Sequence, residues 1–339
     1  MSKSDGAGVH REHVAASVVV PTIHTLPDDR ILVCNDAHGL VTGPLINDGR
    51  TVDSWRRRAT IKHDATAWPS PGPYDAAVVR LEKDKKAFQM ALHAVCASLK
   101  PAAPLWVYGA NDEGIKSAAK VMMPVLDGVE TIDARKHCRV LMGRNRSPNH
   151  ALRARIDDWA SRETLAFANE TIEHTVFPGV FAKGRLDPAT ALLVSCIHVP
   201  APNSRILDYA CGAGVIGGWL LRRDPTLALT QLDADAVSTT AAAINVPKAN
   251  TVTAASLDAL GPADCFDCIV SNPPIHVGTA RDYGVLRHLI GASPGRLSPG
   301  GELWLVVQRQ ADLAPLLQER FSNVTVVEDD GRFRVWAAR

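Results

Sequence analysis

The chain has 339 residues, 46% of them hydrophobic and 22% charged, with a net charge of +1. That balance suits a soluble globular protein of two domains and excludes collagen-like, disordered and disulfide-scaffold classes. No apolar run approaches the ~18 residues of a membrane span, and seven scattered cysteines, an odd count, suit reduced thiols and a cytoplasmic location.

In chain order, "MSKSDGAGVHREH" has no continuous apolar core, so residues 1–15 are expected as a flexible tail. Residues 16–150 read as a first domain with the strand-like runs "ILVCNDAHGLV" and "APLWVYG". It carries two basic clusters. One is Arg56-Arg57-Arg58; the other runs from Arg135 to Arg155 through Lys136, Arg139, Arg144, Arg146 and Arg153 with no acid. Such runs are solvated faces or phosphate contacts. Residues 151–174 are expected as a linker helix, and residues 175–339 as a second domain.

The second domain alternates strands and helices. "SRILDYA", "LALTQLDAD", "NTVTAAS", "FDCIVSN" and "GELWLVVQ" read as five strands; "VIGGWLLRR" and "AVSTTAAAIN" read as helices. "NVTVVEDDGRFRVWAAR" is a hairpin around Asp-Asp-Gly. The expected fold is α/β: a mostly parallel, seven-stranded sheet covered by helices, closed by an antiparallel hairpin. The first domain carries a faint copy. "YDAAVV…LKPAAPLWVYG" and "FDCIVS…LSPGGELWLVV" share an aromatic-Asp opening, a helix, Leu-x-Pro and a Leu-Trp strand. Where the second has Asn272-Pro273-Pro274-Ile275, the first has Arg80-Leu81-Glu82-Lys83. Two Rossmann-like domains are therefore expected, the first without a reactive loop. Cys265 and Cys268 have CxxC spacing without a second pair and read as packing residues; no metal site is expected.

Asp208-Tyr-Ala-Cys211-Gly212-Ala-Gly214 lies at a strand-to-helix junction, where glycines let the backbone turn tightly and approach a ligand. An acid before those glycines would repel a pyrophosphate and accept from an ammonium. Asp233, 25 residues on at the next strand tip, is placed for ribose hydroxyls. Together they fit a nucleoside with an amino-acid tail, S-adenosylmethionine. Ser256 and Leu257 at the third strand's end are candidate adenine contacts. Asn272, Pro273 and Pro274 end the fourth strand with a stiff pair of acceptors, because proline fixes its own φ and biases its predecessor to extended geometry. Such a pair would grip the two hydrogens of a conjugated NH2 and expose its lone pair to a sulfonium methyl, with positioning and charge doing the catalysis.

These motifs resemble the class I methyltransferases acting on exocyclic amines. More closely, they resemble the bacterial ribosomal RNA guanine-N2-methyltransferases, the group that holds methyltransferase C for the small ribosomal particle and methyltransferase G for the large one. "FPGVFAKGRLDPATALLVS", "SNPPIHVG", "LSPGGELWLVV" and "GRFRVW" are similar to that family's motifs. The resemblance implies a degenerate N-terminal domain that assists RNA binding or folding, and a catalytic C-terminal domain. It implies methyl transfer to guanine N2 in ribosomal RNA, naked or in an assembling ribosomal subunit, with small-subunit RNA and a monomer favoured. It implies Asp208, Gly212, Gly214 and Asp233 at the cofactor, with Asp187 and Thr190 over its methionine end, and Asn272 and Pro273 at the amine. One departure stands out: the family carries an aromatic after the prolines, and here Ile275 is followed by His276, with Tyr283 a further candidate ring. Three alternatives stay open: a protein glutamine-N5-methyltransferase, which would favour a helical N-terminal bundle, a base adenine-N6-methyltransferase, and a binding scaffold without catalysis.

Overall fold

The structure, a computed structural model, describes residues 3–26, 30–167, 170–274, 276–277, 280–281 and 283–339. It divides into two compact units, residues 3–58 with 66–160, and residues 59–65 with 161–339.

In the first unit the order is α1 (Lys3–Val19), β1 (Arg30–Cys34), α2 (Thr42–Asn47), β2 (Thr51–Trp55), β3 (Ala76–Arg80), α3 (Lys85–Ser98), β4 (Pro104–Ala110), α4 (Ile115–Met122), β5 (Leu126–Arg135) and β6 (Cys138–Asn145). Six strands form one sheet in the order β2-β1-β3-β4-β6-β5. The first four are parallel, and β6 and β5 close it antiparallel. Alternate strand residues feed opposite faces. Leu32, Val79 and Leu105 meet Phe88, Leu92 and Met122 from α3 and α4; Ile31, Val78 and Val140 meet Ala15, Val18 and Val19 of α1. Asp84 starts α3 by accepting from the Lys86 and Ala87 N–H groups at 2.9 and 3.0 Å.

The second unit begins with an antiparallel hairpin, β7 (Ser161–Phe167) and β8 (Glu170–Val176). It continues α5 (Pro188–Cys196), β9 (Arg205–Tyr209), α6 (Val215–Arg223), β10 (Ala228–Asp233), α7 (Ala236–Asn245), β11 (Asn250–Thr253), β12 (Phe266–Ser271), the short pair β13 (His276–Val277) and β14 (Ala280–Arg281), α8 (Gly284–Ala292), β15 (Leu297–Gln308), α9 (Ala314–Gln318), β16 (Val324–Asp329) and β17 (Phe333–Ala338). Its main sheet holds seven strands in the order β11-β10-β9-β12-β15-β17-β16. The chain runs outward from β9 to β11 and returns to β12 on the other side of β9. That reversal is the switch point where such sheets open a crevice. Register fixes what meets there: Ser271 pairs with Tyr209 and Val270 with Asp208. The turn after β9 and the Asn-Pro-Pro segment after β12 therefore leave the sheet side by side.

The two halves repeat one plan, the first lacking a counterpart of β11 among the described residues. Even the aromatic-Asp openings match. Asp75 accepts the Arg30 N–H at 3.0 Å, and Asp267 the Arg205 N–H at 2.8 Å. The same arginines lie over Tyr74 at 4.4 Å and Phe266 at 5.7 Å.

Two expectations are corrected. Residues 3–19 are helix α1 rather than part of a tail reaching to residue 15; its final turns carry Ala15, Ala16, Val18 and Val19, all buried against the sheet. The described residues of 151–174 hold no linker helix: a short 3-10 turn, Ile156–Trp159, precedes the β7–β8 hairpin. The β-branched content of that stretch, Thr164, Thr171 and Ile172, outweighs its charge. Val18 is fully buried, so Val18→Asp should destabilise the protein by about 3 kcal/mol or more. Urea denaturation checks this; an unchanged midpoint would mean that α1 is not packed on the sheet.

Candidate active site

At the end of β9 the backbone turns through Ala210, Gly212 and Gly214, all left-handed, with φ of 56°, 55° and 85°. A Cβ on Gly214 would lie 2.7 Å from Gln231 Nε2 and 3.0 Å from Val246 Cγ2, so only glycine passes there. A Cβ on Gly212 would meet nothing closer than Phe181 Cβ at 4.0 Å and would fill the crevice instead. Asp208 is fully buried; its Oδ2 accepts the Gly217 N–H at 2.9 Å, holding the first turn of α6. Its Oδ1 is buried with no partner among the described residues. A glycine cradle beside a buried carboxylate with an unmatched acceptor fits an adenosyl group carrying an ammonium.

Asp233 fastens the next strand tip. Its Oδ2 accepts the Gly212 N–H at 2.9 Å and its Oδ1 the Asp235 N–H at 2.8 Å. Cys211 lines the crevice, its thiol pushed up by burial. The hydroxyl of Ser256 both accepts from the Asp258 N–H and donates to the Asp258 carboxylate. The Leu257 side chain is fully buried in the core.

Asn272 also lines the crevice, with Asp187, Thr190, Phe181 and Gly212. Its amide nitrogen donates to Asp187 Oδ2 and to Thr190 Oγ1, both at 3.0 Å. Both amide hydrogens are thus committed and the carbonyl oxygen is the end left to accept. Asp187 Oδ2 also accepts the Thr190 N–H at 3.0 Å, so the cap that starts α5 is the same carboxylate that orients Asn272. Asp187 and Thr190, expected over the cofactor, hold the amide. Pro273 is buried and Pro274 exposed. Ile275 lies outside the described residues. His276 pairs through its backbone with Arg281. Tyr283 packs against the core.

Two residues that sequence reading passed over stand at the crevice. Phe181 is 63% exposed there. It is followed by three left-handed residues, Ala182, Lys183 and Gly184, with φ of 59°, 49° and 78°. Such backbone persists where the surroundings enforce it, commonly at functional sites. The sequence contained "FPGVF" but no signal of that strain. His174, on β8, is buried, and burial lowers its pKa to about 4, so it is neutral at pH 7. Asn245 anchors it: Oδ1 accepts the Thr175 N–H at 2.7 Å, and Nδ2 reaches the Thr175 carbonyl at 2.8 Å and His174 Nε2 at 3.2 Å.

In the first unit the corresponding positions have changed. Register places Val33 where the second unit has Asp208, Arg56 where it has Asp233, and Arg80 where it has Asn272. Arg80 is buried, bonded to Glu113 at 2.5 Å and 5.6 Å from the Tyr108 ring centre. That set holds neither an acid for an ammonium nor an amide for an amine.

The basic residues are largely engaged within the protein. Arg57 is buried, which removes it as a phosphate contact. Arg56 reaches the Asp36 carbonyl, Arg139 the Asn111 side chain, and Lys136 the Ser17 hydroxyl. Arg135 pairs with Asp133, Arg146 with Asp127, and Arg155 with Asp157; Arg153 lies 3.9 Å from the Trp159 ring centre. Of these acids, Asp133 and Asp127 lie on β5 and Asp157 in the turn Ile156–Trp159. Arg58 and Arg144 are exposed, the latter bonded to the Ala102 carbonyl.

Burial raises the Asp208 carboxyl from the ordinary 3.8 to about 7. The stability tied to its neutral form is therefore complete below about pH 4 and lost as the pH rises through 7. The cofactor-free protein should melt at a lower temperature at about pH 8 than at pH 5, and Asp208→Asn should flatten that slope. An identical slope in the variant would show that another group sets it.

Residues 23–162 match the family model "Methyltransferase small domain N-terminal" and residues 171–337 "Methyltransferase small domain". The ribosomal RNA small subunit methyltransferase C of Chromohalobacter salexigens is 33% identical over 298 residues, 86% of each chain. That of Pseudoalteromonas atlantica is 32% identical over 286 residues, 83% of this chain and 82% of its own. A solved structure, the T. thermophilus 16S rRNA N2 G1207 methyltransferase in complex with AdoMet and guanosine, superposes with a TM-score of 0.86 at 22% identity, covering 96% of this chain and 91% of that one; it supports the two-domain methyltransferase fold. Matched in both halves and 33% identical to a relative over most of both chains, the protein belongs to the ribosomal RNA small subunit methyltransferase C family.

Proposed function

We propose that the protein transfers a methyl group from S-adenosylmethionine to the exocyclic N2 amine of a guanine in small-subunit ribosomal RNA. The observation that carries this reading is the fixed amide of Asn272, whose hydrogens are both taken by Asp187 and Thr190. Relatives named for small-subunit ribosomal RNA methylation support the substrate. The glycine turn, Asp208 and Asp233 would hold the cofactor, which when bound supplies a methyl carbon made electrophilic by its sulfonium. Asn272 Oδ1 and the Pro273 carbonyl accept from the two amine hydrogens, drawing the nitrogen lone pair out of conjugation with the base. The new N–C bond forms as the C–S bond breaks, and one amine proton leaves to water. No strong base is required, because orientation and the two acceptors lower the barrier.

Phe181 supplies the exposed ring beside Asn272 that the residue after the prolines, an isoleucine, does not. A base stacked on it would have its amine edge free for Asn272. A helical N-terminal bundle would have favoured the protein-glutamine reading, whereas the first unit is built on a six-stranded sheet.

Incubation with labelled S-adenosylmethionine and unmodified small-subunit ribosomal RNA should yield N2-methylguanosine. Label in protein alone would reject the reading. Asn272→Ala should lower kcat by about 10² or more while leaving cofactor affinity within about threefold. Asp187→Ala should also lower kcat, by freeing the amide to rotate, and lose about 1 kcal/mol of stability with the helix cap. Full turnover in either variant would place the acceptor elsewhere.

A further inference from the structure

The turn at residues 59–65 is packed with the second unit, although the sequence on either side belongs to the first. Its base is the Ala59 N–H, which donates to the Ala234 carbonyl at 2.8 Å. Ala234 directly follows Asp233, whose carboxylate holds the Gly212 N–H of the cofactor turn. The segment closes on itself: Thr60 and His63 exchange both backbone bonds, at 2.8 and 3.3 Å, in an antiparallel bridge. Thr60 Oγ1 also accepts the Lys62 N–H at 3.3 Å. Ile61 and Lys62 are left as a two-residue tip.

Ile61 is 86% exposed, more than any other large apolar side chain among the described residues. Arg58, Lys62 and His63 around it are exposed, and Asp64 is the single acid between residues 56 and 66. An apolar branched side chain on a closed turn, set among cations, suits a polyanion with an apolar interior. A base-paired guanine presents its amine to an enzyme only after leaving the stack, and proteins that open stacks insert apolar side chains such as isoleucine into the step.

We propose that Ile61 is an RNA wedge: it enters the base stack at the position vacated by the target guanine, while Lys62 meets a flanking phosphate. This rests on the RNA-guanine reading above. It makes Ile61 a positioning residue, contributed to the catalytic unit by the N-terminal half of the sequence and anchored two positions away at Ala59.

The test uses two unmodified RNAs carrying the same guanine, one paired in a hairpin and one in a single strand. Ile61→Ser should lower kcat/KM on the hairpin by about tenfold or more and leave the single strand within about twofold, because only the hairpin requires unstacking. Ile61→Leu should restore the hairpin rate, and cofactor affinity should be the same in all three proteins. Equal loss on both RNAs, or loss on neither, overturns the wedge. Wild-type protein that methylates neither RNA would instead overturn the guanine-N2 reading on which the wedge rests.

Discussion

One carboxylate decides how the active crevice is arranged. Asp187 Oδ2 caps α5 through the Thr190 N–H and fixes Asn272 through its amide hydrogens. A primary amide can face a target with either its donor or its acceptor end, and a carboxylate behind it admits only one choice. The fold then has two remaining tasks. It brings β12 beside β9, so that Asn272 emerges next to the glycine turn, and it packs α5 so that its first turn meets the end of β12. Register between neighbouring strands accomplishes the first. Leu193 and Val194, buried in the core with Trp304 and Val335 of β15 and β17, support the second.

Much of this was legible in the sequence, for physical reasons. Parallel strands buried on both faces show as short apolar runs, and the acid or glycine that ends each run marks the carboxyl edge where ligands sit. Asp208, Gly212, Gly214, Asp233 and Asn272 all fall on that edge. What was not legible depends on three-dimensional partners. "DPAT" reads as a helix start, and nothing in it shows that Asp187 also meets a residue 85 positions later. The α1 helix and the β7–β8 hairpin were misread because polar, charged segments have weak local periodicity and are ordered by the sheet or strand they pair with.

The first unit shows which parts of the plan serve stability and which serve ligands. It keeps the strand order, the closing antiparallel pair and the Arg–aromatic–Asp opening of its sheet, and it replaces the residues at the crevice. Val33, Arg56 and Arg80 occupy the places of the acid, the second acid and the amide, and a buried Arg80–Glu113 pair fills in where an amine would be gripped. The basic run from 135 to 155 belongs to the same accounting. Three of its seven cations, Arg135, Arg146 and Arg155, are ion-paired within the unit, with Asp133, Asp127 and Asp157.

The most direct test is a crystal structure of the protein with S-adenosylhomocysteine and guanosine. The account predicts the guanine N2 within hydrogen-bond distance of Asn272 Oδ1, with the amide nitrogen still bonded to Asp187 and Thr190. An N2 held by other acceptors, or an Asn272 amide turned so that its nitrogen faces the base, would contradict it.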